Sequence, residues 1–127
     1  MIRLSLLFLS IFSLIYGIYF LFFPYSFVIM TDAQITNIAW LRNLGGAITG
    51  LLFFGLLMVY LKPKGSLNLL NVIIITSIIQ TSALIYSRLF NEFSAKNMLI
   101  IDIAIYSAIL VTVYLVYISI KFKNLFI

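Results

Sequence analysis

Three ionisable side chains lie within, or at the end of, apolar segments that are long enough to cross a bilayer. Arg42 lies about one helical turn inside the second such segment, Arg88 closes the third, and Asp102 lies about one turn inside the fourth. An unpaired charge at this depth costs about 1 to 3 kcal/mol, and less where the side chain reaches the interface. We therefore expect Arg42 or Arg88 to pair with Asp102 where all three charges converge, with Glu92 as the exposed alternative.

Polar side chains near these charges extend the candidate site. Ser77, Thr81 and Arg88 recur along the third segment at spacings that place them on one helix face. Gln80 lies beside that face, and Thr49 adds a hydroxyl on the second segment. The candidate binding residues of this polar pocket are Arg42, Arg88, Asp102, Gln80 and Thr49. The alternative interpretation is purely structural, with an ion pair and a packing seam whose hydroxyls bond to their own helix.

The amino-acid composition excludes the commonest kinds of catalytic site. The chain has no cysteine and no histidine, so it lacks thiolate nucleophiles, the commonest general base and the usual ligands of zinc and haem. A dyad of Glu92 and Asp102 is disfavoured, because one lies in a loop and the other a turn inside a helix. No lysine lies near the middle of an apolar segment, which disfavours retinal. We predict that the protein is not an enzyme and that it holds no cofactor and no metal.

The elements that position these residues are helices that span a membrane. The 127 residues are 65% hydrophobic and 9% charged, with a mean hydropathy of +1.23, which is far from the composition of a soluble domain. Four apolar runs of about 20 residues have the length that a spanning helix requires. Short connections favour antiparallel neighbours. We predict an all-α integral membrane bundle of four antiparallel transmembrane helices, a single domain over residues 1–127 with spans at about 4–23, 39–61, 67–89 and 98–120.

The first run and the connections carry further signals. A signal peptide is the competing interpretation of the first run, but the run is longer than a typical signal core and no Ala-x-Ala-like site follows it. The longest connection, 24–38, mixes polar and aromatic residues, which suggests a short interfacial helix beginning near Thr31 or Asp32. The second connection is a tight turn at residues 62–65, where proline and glycine both end a helix.

Small residues predict where helices approach each other closely. Gly46 and Gly50 form a Gly-x-x-x-Gly pair in the second run, directly after Gly45. In the first run, Ser13 and Gly17 lie four residues apart on one helix face. We expect these five residues to pack against neighbouring helices.

The positions of lysine and arginine predict the orientation in the membrane. With four spans, five basic residues share one side, whereas three basic residues and all three acids share the other. Because cytoplasmic loops carry an excess of lysine and arginine, both termini should be cytoplasmic. The basic residues lie singly or in pairs, which suits lipid headgroups and not nucleic acid. The abundance of Ile, Phe, Lys and Asn indicates an AT-rich bacterial genome, so we expect a multi-pass protein of the bacterial inner (cytoplasmic) membrane.

Three short features of the chain occur together in a known family. Arg42 precedes Leu44-Gly45-Gly46 early in the second helix, the first helix ends at Phe22-Phe23-Pro24, and Arg88 lies late in the third helix. In these features the chain resembles a bacterial family of small four-span membrane proteins known only as a domain of unknown function and distantly similar to the DoxX-like group. The resemblance implies a four-helix fold over most of the chain, without an established activity. The DoxX-like similarity also hints at a partner in a membrane redox complex.

These observations favour a non-enzymatic membrane protein that packs against a partner or binds a lipid or another small amphiphile at its outer polar end. Membrane lipid is the expected partner, together with a second membrane protein or further copies of this chain. The alternative is a small transporter or channel that acts as an oligomer. That function requires a water path along Ser77, Gln80 and Thr81.

Overall fold

The computed structural model describes residues 1–33 and 38–127, and the regular elements in these ranges are helices, with no strand. The helices are α1 (Ile2–Phe22), α2 (Pro24–Thr31), α3 (Ile38–Leu61), α4 (Leu67–Leu89), α5 (Met98–Lys121) and α6 (Lys123–Phe126). Four of them, α1, α3, α4 and α5, are long and apolar enough to cross a membrane. The all-α class and the four long apolar helices are therefore confirmed. The first and last residues of each predicted span lie within two residues of those of the corresponding helix.

The connection after α1 differs from the prediction. Pro24 ends α1 and occupies the first turn of α2, because proline lacks an amide hydrogen but its fixed φ suits the start of a helix. Helix α2 ends at Thr31, and Asp32 adopts a left-handed conformation with φ of 48°. The prediction of a helix that begins near Thr31 or Asp32 is therefore wrong for the described residues up to 33, because a helix ends at Thr31 and none begins. Residues 34–37, the rest of this connection, lie outside the described residues.

The long helices pack as two pairs. Helix α1 packs along α3, and α4 packs along α5. The two pairs meet between α4 and the last segment of α3, Gly55–Leu61. Around this junction lies the apolar core, which consists of Leu6, Leu56, Val59, Leu70, Ile73, Ile74, Leu115, Ile118 and Phe126. The core therefore fills only one half of the bundle.

Both termini and the turn before α4 share that half of the bundle. The Gly65 amide, in a turn where its φ is +80°, donates to the Ile127 carbonyl at 3.1 Å. Phe126 of α6 is fully buried in the core, and Arg3 donates to the Tyr60 carbonyl at 3.1 Å. We call this end, which carries residues 1–3, 62–65 and 121–127, the basic end. The opposite end carries α2 and the loop 90–97, and we call it the α2 end.

The outer surface of the four long helices is apolar. Large side chains that are more than half exposed include Leu4, Phe8, Ile79, Leu110 and Val113. A continuous exposed apolar surface of this kind is not tolerated by a soluble monomer, whereas lipid tails solvate it well.

Candidate functional site

A cavity of about 570 Å³ lies between the two helix pairs, in the half of the bundle nearer the α2 end. All four long helices, α2 and residues 93–95 contribute to its wall. Three of its polar wall residues, Ser13, Ser77 and Thr112, lie near the middle of their helices. Pockets of about 300–1,000 Å³ typically hold drug-sized molecules. The cavity is therefore large enough for one small amphiphile.

The cavity exists because the helices of each pair pack mainly against each other. The helix faces that point toward the other pair therefore remain uncovered in this half of the bundle. In the α4–α5 pair, the seam holds the Arg88–Asp102 ion pair and a hydrogen bond between the Thr81 and Thr112 hydroxyls at 3.1 Å. On α5, the cavity wall includes Ala104, whose short side chain fills little space. The two pairs converge only at the junction with the apolar core.

Helix α2 and the loop before α5 form the roof of the cavity. Main-chain hydrogen bonds join them, from the Asn97 amide to the Thr31 carbonyl at 3.0 Å and from the Lys96 amide to the Asp32 carbonyl at 3.3 Å. Lys96 Nζ also lies 3.5 Å from Asp32 Oδ2, an exposed ion pair. Phe27 and Phe93 line the cavity below these contacts. Main-chain bonds and side-chain contacts therefore both hold the roof, and the Asn97 side-chain amide adds a hydrogen bond to the Met30 carbonyl at 3.3 Å.

The cavity wall is apolar and uncharged. Aromatic rings contribute from α1, α2 and the loop, while aliphatic side chains contribute from α3, α4 and α5. The aromatic wall residues are Phe12, Tyr16, Phe20, Phe27 and Phe93. Across residues 1–33 and 38–127, no aspartate, glutamate, lysine or arginine lines the cavity. Such a wall accepts apolar surface and selects against charge.

Most buried hydroxyls in the wall already have a hydrogen-bond partner. Ser13 donates to the Leu9 carbonyl at 2.8 Å, and Thr31 donates to the Phe27 carbonyl at 2.9 Å. Thr81 and Thr112 satisfy each other, as described above. Bonds of a serine or threonine to its own helix are common and carry no functional implication.

The Ser77 hydroxyl differs from these hydroxyls because it has no hydrogen-bond partner among the described residues. Its side chain lines the cavity and only 6% of the residue is exposed. Within the part of the chain that the structure describes, its Oγ is the one buried side-chain oxygen or nitrogen without a hydrogen-bond partner. Gln80, one turn further along α4, is half-buried and also lines the cavity. These two residues give α4 a polar face toward the cavity.

The structure brings two of the three predicted charges together. Arg88 Nε lies 2.6 Å from Asp102 Oδ1, and Arg88 Nη2 lies 3.4 Å from Asp102 Oδ2. Both side chains are about a third exposed and face a shallow groove of about 230 Å³ on the outside of the α4–α5 pair, beside Tyr106. The pair therefore lies outside the cavity.

Arg42 does not join this pair, which corrects the prediction that all three charges converge. Its Nη1 donates to the Leu21 carbonyl at 2.6 Å. Leu21 lies in the last turn of α1, where main-chain carbonyls lack partners within their helix. Arg42 therefore caps α1, and its positive charge suits the negative end of that helix. The physical reason is the pairing of the helices. Arg42 belongs to α3, which packs along α1, whereas Asp102 belongs to α5, which packs along α4.

The close approach of α1 and α3 depends on two of the predicted glycines, Gly17 and Gly45. A Cβ added to Gly45 would lie 2.7 Å from the Leu21 nitrogen and 2.9 Å from the Gly17 oxygen, and one added to Gly17 would collide with Thr49 Oγ1. Thr49 donates to the Gly45 carbonyl at 2.8 Å. Gly17, Gly45 and Thr49 therefore form this seam, and Thr49 has a packing role outside the cavity wall.

The predicted Gly46–Gly50 packing element is wrong within this chain. Both residues are exposed, Gly46 would meet only a Leu21 methyl group at 4.0 Å, and Gly50 has nothing within 4 Å. The reason is geometric, because the face of α3 that meets α1 passes through the neighbouring residue Gly45. Ser13 lies on the buried face of α1, as expected, but it reaches the cavity and not a helix seam.

Two features of the site escaped the sequence analysis. The first is a π-helical segment of α3, Ile48–Phe54, where the Phe53 carbonyl accepts a hydrogen bond from Ser10 Oγ at 2.9 Å. Segments of this kind commonly occur at functional sites, but they have no clear sequence signature. The second is the small-residue face of α5, where Ala104, Ser107 and Ala108 line the cavity. Their spacing of three and four residues was the available signal.

Comparisons with family models, with curated proteins and with solved structures find no match for this chain. The resemblance to the four-span, distantly DoxX-like family therefore stays a prediction.

Proposed function

We propose that this is a non-enzymatic, multi-pass protein of the bacterial inner membrane that holds one uncharged amphiphilic molecule in the cavity between its helix pairs. The single observation that carries the proposal is the cavity itself, about 570 Å³ in volume and lined by four apolar helices. A void of this size is costly in a small bundle unless something fills it. Membrane lipid or a lipid-soluble metabolite is the most direct source of a filling molecule.

The chemistry of the wall supports an uncharged occupant. A charged group near the middle of a bilayer costs about 2.5–3.5 kcal/mol on insertion scales, and no charged side chain in the described wall is available to compensate it. The aromatic and aliphatic side chains suit an apolar body. The absence of histidine and cysteine from the sequence, together with this uncharged wall, supports binding over catalysis.

The arrangement of the helix pairs supports entry from the bilayer. Helix α1 makes no extended contact with α5, and the part of α3 before Gly55 makes none with α4. Phe12 lines the cavity and is also 38% exposed on the surface of α1. A lipid-soluble molecule would therefore reach the cavity between the pairs without crossing the headgroup region.

Transport is less well supported than binding. Beneath the cavity lies the apolar core, in which Leu56, Ile73 and Leu115 are fully buried. A channel needs a polar path that continues to the other face of the membrane, and this core offers none. A transporter would have to open the core in a second conformation.

The proposal is tested by filling the cavity. Ala108→Phe places a ring in the cavity wall, whereas Ala47→Phe places the same ring on an exposed part of α3 and is the matched control. We expect small molecules extracted from the purified wild type and the Ala47→Phe variant to include one enriched uncharged species, and Ala108→Phe to lose most of it. Mass spectrometry of the extracts measures this. Equal retention by both variants, with both folded by circular dichroism, would contradict the proposal.

A further inference from the structure

The floor of the cavity contains an unusual serine. Ser77 lies near the middle of α4, its side chain is buried, and its hydroxyl has no partner among the described residues. A buried hydroxyl without a partner is unfavourable, and a helical serine can ordinarily bond back to its own main chain. Ser107, in the same cavity wall, does this through the Ala104 carbonyl at 2.8 Å. The two serines therefore provide an internal comparison.

The surroundings of Ser77 define what could satisfy it. Thr81, one turn away, is occupied by its bond to Thr112. Gln80 lines the same cavity and can both donate and accept. The ionised groups of this region, Arg88 and Asp102, face the outer groove and not the cavity. The polar group of a ligand at Ser77 would thus meet neutral donors and acceptors only.

The position of Ser77 also fixes the direction of the ligand. Ser77 and Ser87 both line the cavity on α4, separated by ten residues, which correspond to about 15 Å along a helix. The wall between them and up to the roof is mostly aromatic and aliphatic. A ligand whose polar group reaches Ser77 would therefore place its apolar body toward the α2 end.

We propose that the Ser77 hydroxyl, assisted by Gln80, binds an oxygen at the buried end of an uncharged amphiphile, so that the ligand class is a neutral alcohol, ether or carbonyl compound with an apolar body. This inference rests on the function proposed above and adds the recognition chemistry. Ser77 is then the residue that distinguishes such a compound from a plain hydrocarbon. No bond is made or broken in this binding.

Matched probes and matched variants test the inference. Dodecanol and dodecane share an apolar chain and differ in the hydroxyl, and Ser77→Ala and Ser107→Ala remove the same atom from the same cavity. Binding of each tritiated probe is measured by scintillation proximity on the full chain in lipid nanodiscs. We expect the wild type to prefer dodecanol, and Ser77→Ala to weaken dodecanol binding about three- to tenfold without changing dodecane binding. Ser107→Ala should weaken dodecanol binding less than Ser77→Ala does, because the Ser107 hydroxyl already donates to the Ala104 carbonyl.

The outcomes separate the two proposals. If Ser77→Ala leaves dodecanol binding unchanged, or weakens both probes equally, the Ser77 anchor is wrong while the cavity still binds. If the wild type binds neither probe better than Ala108→Phe does, the cavity function fails and the anchor fails with it. Dodecanoate, which carries a charge at the same position, should bind more weakly than dodecanol; stronger binding would contradict the neutral ligand class.

Discussion

At the scale of single residues, each arginine near the α2 end has an acceptor at hydrogen-bond distance. Arg88 lies 2.6 Å from an oxygen of Asp102, and Arg42 lies 2.6 Å from the Leu21 carbonyl. The first partner was predictable, because two opposite charges stood at matching depths in consecutive apolar runs. The second was not, because a main-chain carbonyl at a helix end has no signature in the sequence. Depth along the sequence therefore predicted one cluster of three charges, whereas the pairing of the helices separates Arg42 from Arg88 and Asp102.

Removal of the Asp102 carboxylate tests the role of the ion pair. Asp102→Leu leaves the Arg88 guanidinium without its acceptor on an apolar surface, so we expect a clear loss of stability. The double variant Arg88→Met with Asp102→Leu should recover most of that loss, because no charge is left unpaired. Unfolding in sodium dodecyl sulfate, followed by circular dichroism, measures both effects. If the double variant is as unstable as the single one, the side chains act by shape and not by charge pairing.

At the scale of elements, the close approach of α1 and α3 fixes the position of each. Gly17 and Gly45 meet where a side chain would collide with the main chain of the other helix. The four long helices were predictable, because apolar runs of the correct length ended at proline, glycine or charged residues. The seam itself was not, because three glycines lie within six residues of α3 and only the rotation of the helix decides which of them faces α1.

Substitution of two glycines by alanine tests this seam. Gly45→Ala places a Cβ within 3.0 Å of main-chain atoms of α1, so the helices must separate, with an expected loss of about 1–3 kcal/mol. Gly50→Ala meets nothing within 4 Å and should leave stability unchanged or raise it by up to about 1 kcal/mol. Unfolding titrations of both variants provide the comparison. Equal losses would indicate that Gly50 packs against a second molecule.

At the scale of the whole molecule, the α2 end and the basic end differ in how they are filled. Near the basic end, Phe126 and its neighbours form a closed core, whereas near the α2 end the helix pairs leave a cavity under a roof. The sequence could not predict this difference, because all four runs are similarly apolar along their length. The polar residues of α4, Ser77 and Gln80, and the small residues of α5 were partial signals, and neither indicated the cavity.

The charge distribution leads to a prediction about orientation. The basic end carries Arg3, Lys62, Lys64, Lys121 and Lys123, and we expect it to face the cytoplasm. Alkaline phosphatase fused after Ile127 should be inactive, whereas a green fluorescent protein fused there should fluoresce. An active phosphatase with a dark fluorescent fusion would reverse the orientation and place the cavity in the cytoplasmic half of the membrane.

A crystal structure of the protein purified from its native membrane without lipid exchange would show whether the cavity holds an amphiphile. We expect elongated density in the cavity between α1 and α4, with its buried end within hydrogen-bond distance of Ser77 Oγ. The contrary result is a cavity closed by inward movement of the helix pairs, with Tyr16 or Leu84 filling the space beside Ser77, or a cavity that holds only separate water molecules. Either observation would mean that the protein does not act by holding an amphiphile there.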